Sequence, residues 1–166
     1  MKKILFILAT LLCLGATAKT VVITNVDKVQ PTDEMFMDMA VTAAKKSAAS
    51  NNVPSGAVII LNGAWRATGI PENGKTAEEV AVSKSRLTKL KNASVYTVNQ
   101  PTSEVINMLS ELGVDAIYFA NGKEAVIAAG IYPASAYDEE LINADIKQAP
   151  VMRLPLTDAA ALLKKK

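Results

Sequence analysis

The stretch VYTVNQPTSEVINML, residues 95–109, changes its hydrophobic period midway. Its first half alternates as a strand does. Its second half places Val105, Met108 and Leu109 on one helical face, which Leu112 continues just beyond it. Those two periods, 2.0 and 3.6 residues, belong to different elements, and the polar turn NQPTSE joins them. The pattern predicts a strand over 93–98 and a helix over 101–112, ended by Gly113. A strand feeding a helix directly must lie in a sheet that the helix covers.

The rest of the chain extends this arrangement. PTDE, from Pro31, predicts a helix start with a Thr or Asp cap and acids in the first turn. Phe36, Met39, Ala40, Ala43 and Ala44 follow at helical spacing, with Lys45 and Lys46 near the end, where they suit the helix dipole. NNVPSG breaks that helix. AVIIL and AWRATG then flank Asn62-Gly63, a strong hairpin signal. A loop follows over 70–75. A helix is predicted over 76–90, with Val80, Ala81 and Leu87 on one side and Thr76 and Glu79 as a capping box. VDAIYFA, from Val114, reads as a buried strand, and 121–130 as a turn with a short helix. From Ile131 the chain is expected to be irregular, with a short helix around DEELIN and a last helix capped by Thr157.

Helices alternating with a hairpin and strands predict one α/β domain. It is a three-layer α/β/α sandwich around a central mixed sheet of about five strands. The length of 166 residues suits one domain, and an apolar half with 20% charge supplies its core.

The first residues are expected to lie outside that core. MKK is a basic leader, residues 4–14 are apolar, and Ala16 and Ala18 form a signal-peptidase site. The expected division is a signal peptide at 1–18, an extended segment at 19–30 and the domain at 31–166. The expected location is outside the cytoplasm, in the periplasm or beyond. Without Lys2 and Lys3 the 18 basic residues fall level with the 16 acidic ones. That balance gives no general electrostatic reason to bind nucleic acid or an anionic membrane. The basic group Lys84, Arg86, Lys89 and Lys91 has no interleaved aromatics, so no nucleic-acid partner is expected.

The chain has no histidine, and its one cysteine, Cys13, lies in the leader. The mature domain would hold neither imidazole nor thiolate. That excludes a disulfide and the usual nucleophile pairs, and it removes the normal zinc ligands.

The order of elements and their junctions resembles the cytidine deaminase-like superfamily, in its guanine deaminase and tRNA adenosine deaminase branch. VPSGAVIILNGAWRATG is similar to that family's P-x-G-A-V-I hairpin. TAEEVAV stands where the family has its H-A-E helix start, and VYTVNQPTSEV where it has P-C-x-x-C. AIYFANGKEAVIAAGI and YDEEL resemble the following strand, loop and tail. Thr76 then occupies the histidine position, and Thr102 and Val105 the two cysteine positions. Pro71 stands at the base-holding asparagine, and Ser55 where an aromatic is common. Glu78 remains at the proton-shuttling glutamate.

The resemblance implies a deaminase frame without its metal. Zinc is expected to be absent, because valine cannot ligate it and threonine hydroxyls are poor ligands beside imidazole or thiolate. A lone carboxylate supplies roughly 10²–10⁴-fold by general base catalysis, short of a metal-activated hydroxide. The expected function is therefore a catalytically inactive relative, a pseudoenzyme with a binding or structural role. Two alternatives stand beside it: a nucleobase or nucleoside deaminase or hydrolase working through Glu78 without the usual zinc site, and an interaction module acting through its surface.

Each site residue also has a plainer reading. Glu78 reads first as a first-turn acid favoured by the helix dipole. Thr76, Thr102 and Ser103 read as helix-start hydroxyls, ordinary caps. Together with Glu78 they are also the candidate pocket for a small polar molecule or a nucleobase, at two converging helix starts. An oxygen-only metal site from Glu78, Glu79 and Glu104 is disfavoured, since adjacent helix residues diverge. Trp65 is expected to pack, and Met35, Met37 and Met39 to pack on the sheet or a partner chain. A homodimer is implied by the resemblance alone.

Overall fold

A computed structural model describes residues 22–23, 30–137 and 147–164. The proposed signal peptide and the expected helix around DEELIN lie outside these residues.

The elements run β1 (Val22–Ile23), α1 (Pro31–Ala49), β2 (Ala57–Leu61), β3 (Ala64–Gly69), α2 (Ala77–Ser85), β4 (Ala93–Asn99), α3 (Ser103–Glu111), β5 (Ala116–Asn121), α4 (Lys123–Ala128), a 3-10 turn (Ala134–Tyr137), β6 (Val151–Arg153) and α5 (Thr157–Leu162). One mixed sheet has the order β1-β6-β5-β4-β2-β3. β2 runs antiparallel to β3 and β4, while β4, β5, β6 and β1 run parallel. The expected mixed sheet of about five strands is present, with six strands among the described residues. The additional strand, β6, is three residues between Pro150 and Pro155, too short to show a period.

Alternation across the strands divides the core in two. On one face Ile59, Val95, Ile117 and Phe119 meet Ala77 and Ala81 of α2 and Val105, Ile106 and Leu109 of α3. On the other, Val58, Ile60, Tyr96 and Val98 meet Met37, Ala40, Val41 and Ala44 of α1 and Ala159 and Leu162 of α5. These faces make the expected three-layer sandwich.

Close seating of both helices depends on two glycines. A Cβ at Gly56 would lie 2.4 Å from the Ala40 carbonyl oxygen, and one at Gly69 would lie 2.0 Å from that of Ala77. The alanines on α1 and α2 bring those backbones down onto the sheet. The hairpin turns at Asn62 (φ 52°) and Gly63 (φ 76°), as the dipeptide predicts. Past the turn, Ile60 pairs with Trp65 but Ile59 with Ala67, so Arg66 is an extra residue in β3.

Four local expectations need correction. α1 has Gln30 as its N-cap, and Asp33 accepts back from the Gln30 backbone N–H at 2.9 Å. α2 ends at Ser85 rather than Leu90, because Arg86 turns into the left-handed region at φ 58°. α5 begins after Leu156, and Thr157 is not its cap. Trp65 is 58% exposed, and its Nε1 donates to Thr68 Oγ1 at 2.9 Å instead of packing inward.

Candidate functional site at the start of α2

The α2 start is fixed by the capping box predicted from T-x-x-E. The Thr76 backbone N–H donates to Glu79 Oε2 at 2.7 Å, and the Glu79 N–H donates to Thr76 Oγ1 at 3.3 Å. Holding both groups in this way turns the intervening acid inward. Glu78 is 2% exposed, and Thr97 of β4 donates its hydroxyl to Glu78 Oε1. Glu78 Oε2 is buried with no hydrogen-bond partner. Glu78 is therefore in the first turn of α2, as expected, and its carboxyl is buried against β4.

Burial raises the Glu78 pKa above its ordinary 4.5, because desolvation penalises the charged form. The hydrogen bond from Thr97 offsets part of that rise. Charge on Glu79 adds to it.

Two tyrosines of the 131–137 segment lie near enough to feel the charge of this carboxyl. Tyr132 and Tyr137 meet edge to face, with ring centroids 6.5 Å apart and planes at 69°. Burial raises both phenol pKa values, and the nearby charge of Glu78 raises them further. Tyr137 donates to the Gln100 carbonyl at 2.9 Å, tying the segment to the strand end before Pro101. Tyr132 lies beside Ser55, whose buried hydroxyl makes no hydrogen bond of good geometry. Tyr132 also lines a cleft of about 530 Å³ with Thr76, Pro71, Glu72, Lys75 and Val53.

The second helix start is closed. Thr102 is the N-cap of α3, and its hydroxyl accepts from the Val105 N–H at 3.3 Å. Ser103 is buried in the first turn, and Val105 belongs to the apolar core. Thr76 and Glu78 thus meet at α2, joined by Thr97, Ser55 and the two tyrosines. Thr102 and Ser103 lie nearby along the chain from Gln100, but none of the described hydrogen bonds links them to Glu78. Glu104 is exposed and Glu79 is held in its capping box, so the three acids do not converge. Among the described residues, no three acidic, histidine or cysteine side chains gather as a metal site.

The donor set does not fit zinc. Of the three positions the resemblance assigns, one is an alkyl side chain in the core, and two are hydroxyls engaged with their own helices.

Sequence reasoning missed Thr97, Tyr132 and Tyr137. A threonine flanked by Tyr96 and Val98 in a strand buried on both faces is a signal, since a buried hydroxyl needs a partner. The tyrosines fall in a segment with no period to place them.

Residues 30–121 match the family described as cytidine and deoxycytidylate deaminase zinc-binding region. No curated protein matches the sequence. Among solved structures, guanine deaminase from Nitrosomonas europaea aligns at 18% identity and TM-score 0.63, over 99% of this chain and 96% of its own. A structure from work on A-to-I editing by tRNA:A34 deaminases aligns at 18% identity and TM-score 0.60, over 78% and 99%. The dCMP deaminase of cyanophage S-TIM5 aligns at 17% and TM-score 0.52, over 76% and 100%. At these identities the likeness is one of fold. With the matched region spanning the hairpin, both helix starts and β5, this chain belongs to the cytidine and deoxycytidylate deaminase zinc-binding family.

Proposed function

We propose that this is an exported member of the deaminase family that has left zinc-dependent deamination, a pseudoenzyme that binds a small polar molecule at the α2 start. The observation that carries the reading is Glu78. One of its oxygens is held by Thr97 and the other is buried without a partner. An unpaired buried polar atom costs roughly 1–3 kcal/mol, and a ligand donor would recover that cost. The adjoining cleft at Thr76 and Tyr132 gives a small molecule, a nucleobase among them, a place to stand. The ligand set supports the loss of zinc chemistry, since neither threonine nor valine makes a hydroxide at neutral pH.

The raised pKa of Glu78 favours a second reading, a hydrolase that uses this carboxyl as a general acid or base with no zinc. Metal analysis of the purified protein and nucleobase deamination assays separate the two. Stoichiometric zinc, or turnover lost in Glu78→Gln, would overturn the pseudoenzyme reading. Thermal stabilisation by purines or pyrimidines that is lost in Glu78→Gln, without turnover, would support it.

A further inference from the structure

Asn-Gly occurs three times in this chain, at Asn62-Gly63, Asn73-Gly74 and Asn121-Gly122. At this dipeptide the asparagine amide is chemically weakest. Glycine has no side chain to shield its backbone nitrogen, and that nitrogen reaches the asparagine Cγ wherever the backbone is free to turn. The fold places the three pairs in different surroundings, so it decides which of them reacts.

Asn121 is 4% exposed, and its Nδ2 donates to Asn99 Oδ1 at 3.1 Å and to the Ala159 carbonyl at 3.0 Å. Both amide hydrogens are engaged, and the residue ends a strand paired with β4. Asn62 is exposed, but its turn closes the β2–β3 ladder at Leu61 and Ala64, and the Asn62 N–H donates to the Asn92 carbonyl at 3.1 Å. Asn73 is exposed in a turn of its own, at φ 52° with Gly74 at 78°. That turn is closed by one isolated bridge, Glu72 to Lys75, with N–H to carbonyl distances of 3.3 and 3.0 Å. A Cβ placed on Gly74 would meet no atom within 4 Å, so nothing crowds its nitrogen. Opening this turn breaks the bridge alone, whereas opening at Asn62 strains a ladder.

We propose that Asn73 is a self-modification site, where Gly74 drives conversion of the side-chain amide to a carboxylate and so remodels the mouth of the cleft at Thr76 and Tyr132. The Gly74 nitrogen attacks Asn73 Cγ. A bond forms between them, the Cγ–Nδ2 bond breaks, and Nδ2 leaves as ammonia with the amide proton of Gly74. Water then opens the cyclic imide at either carbonyl and gives aspartate or isoaspartate, with no change of oxidation state. Asn73 and Gly74 line the cleft together with Glu72, Lys75 and Thr76. Either product sets a second negative charge beside Glu72. Isoaspartate also adds a methylene to the backbone of the turn, which parts Glu72 from Lys75 and loosens the chain entering the Thr76 cap. The site is independent of what the cleft binds and goes beyond the function proposed above.

Ageing the purified folded protein in warm, mildly alkaline buffer, followed by tryptic mapping with mass spectrometry, tests the site. Cleavage after Arg66 and Lys75 isolates Asn73 from the other two dipeptides. Conversion at Asn73 is expected to run on the order of tenfold faster than at Asn62, with Asn121 unchanged. In guanidinium-unfolded protein the three are expected to convert at similar rates, which assigns the ranking to the fold. Asn62 reacting as fast as Asn73 in the folded chain would overturn the site. So would an Asn73 that stays intact while the unfolded chain converts. The acidic fraction from ion exchange supplies a second readout. Amide hydrogen exchange at Lys75 and Thr76 is expected to quicken in the isoaspartyl fraction and not in Asn73→Asp. Unchanged exchange in that fraction would overturn the remodelling.

Discussion

Thr97 of β4 and Glu78 of α2 share a hydrogen bond across the interior, and this bond fixes which side of the carboxyl is left unsatisfied. The threonine hydroxyl serves one oxygen, and the other is buried without a hydrogen-bond partner, with Tyr132 close enough to feel its charge. A charged carboxylate is poorly supported there, and a neutral one much better.

Stability should follow that proton. Folding raises the Glu78 pKa, so between its ordinary 4.5 and the folded value the native state holds a proton that the unfolded chain has released. The contribution is fully present below 4.5 and is lost as pH rises through the folded pKa. Melting curves across pH should therefore show wild type losing stability relative to Glu78→Gln as pH rises from 4 toward neutrality. A constant difference would refute the assignment.

The Tyr96–Asp33 bond joins the start of α1 to the sheet. Tyr96 donates to Asp33 Oδ1 at 2.6 Å, while Oδ2 holds the Gln30 N–H. Tyr96→Phe keeps the stack on Tyr118, whose centroid is 4.6 Å away, but strips one carboxylate oxygen of its donor. A loss of about 1–3 kcal/mol is expected in urea denaturation. A neutral result would mean that water replaces the phenol.

At Gly69 the prediction concerns space. A methyl group there meets the Ala77 carbonyl and the Ala81 nitrogen, both helix backbone, and neither can rotate away. Gly69→Ala should cost roughly 1–3 kcal/mol or more by overpacking. Gly63→Ala, with open space around it, should lose only what its φ of 76° demands. Comparing the two melting temperatures checks the ranking.

Reinstating ligands tests the assignment of the former metal positions. The triple variant Thr76→His, Thr102→Cys, Val105→Cys should take up zinc in near-equimolar amount by elemental analysis, whereas the parent should not. Failure in a folded variant would mean that the three positions do not converge.

Much of the frame was readable because its signals are local. Asn62-Gly63 specifies a turn that needs two positive φ values, and T-x-x-E specifies two reciprocal bonds. Failures arose where the decisive contact is distant. Nothing near Thr157 says that Leu156 takes the cap position. Ser85 and Arg86 resemble helix residues until the backbone bends into the left-handed region. β6 exists because β5 and β1 pair with it. Glu78 looks like any first-turn acid, and only Thr97, 19 residues later, shows that it points inward. The resemblance assigns Thr76, Thr102 and Val105 to the ligand positions, yet it could not show that both hydroxyls are occupied by their own helices.

The unpaired Arg66 in β3 has a consequence for how the edge can change over time. Side chains alternate along a strand, so the extra residue puts Trp65 and Thr68 on the same side of the sheet. Deleting one residue there would send the indole to the opposite side, toward the tightly seated alanines of α2. The address of this tryptophan is thus set by chain length, and a single-codon deletion would alter it more completely than any substitution at position 65.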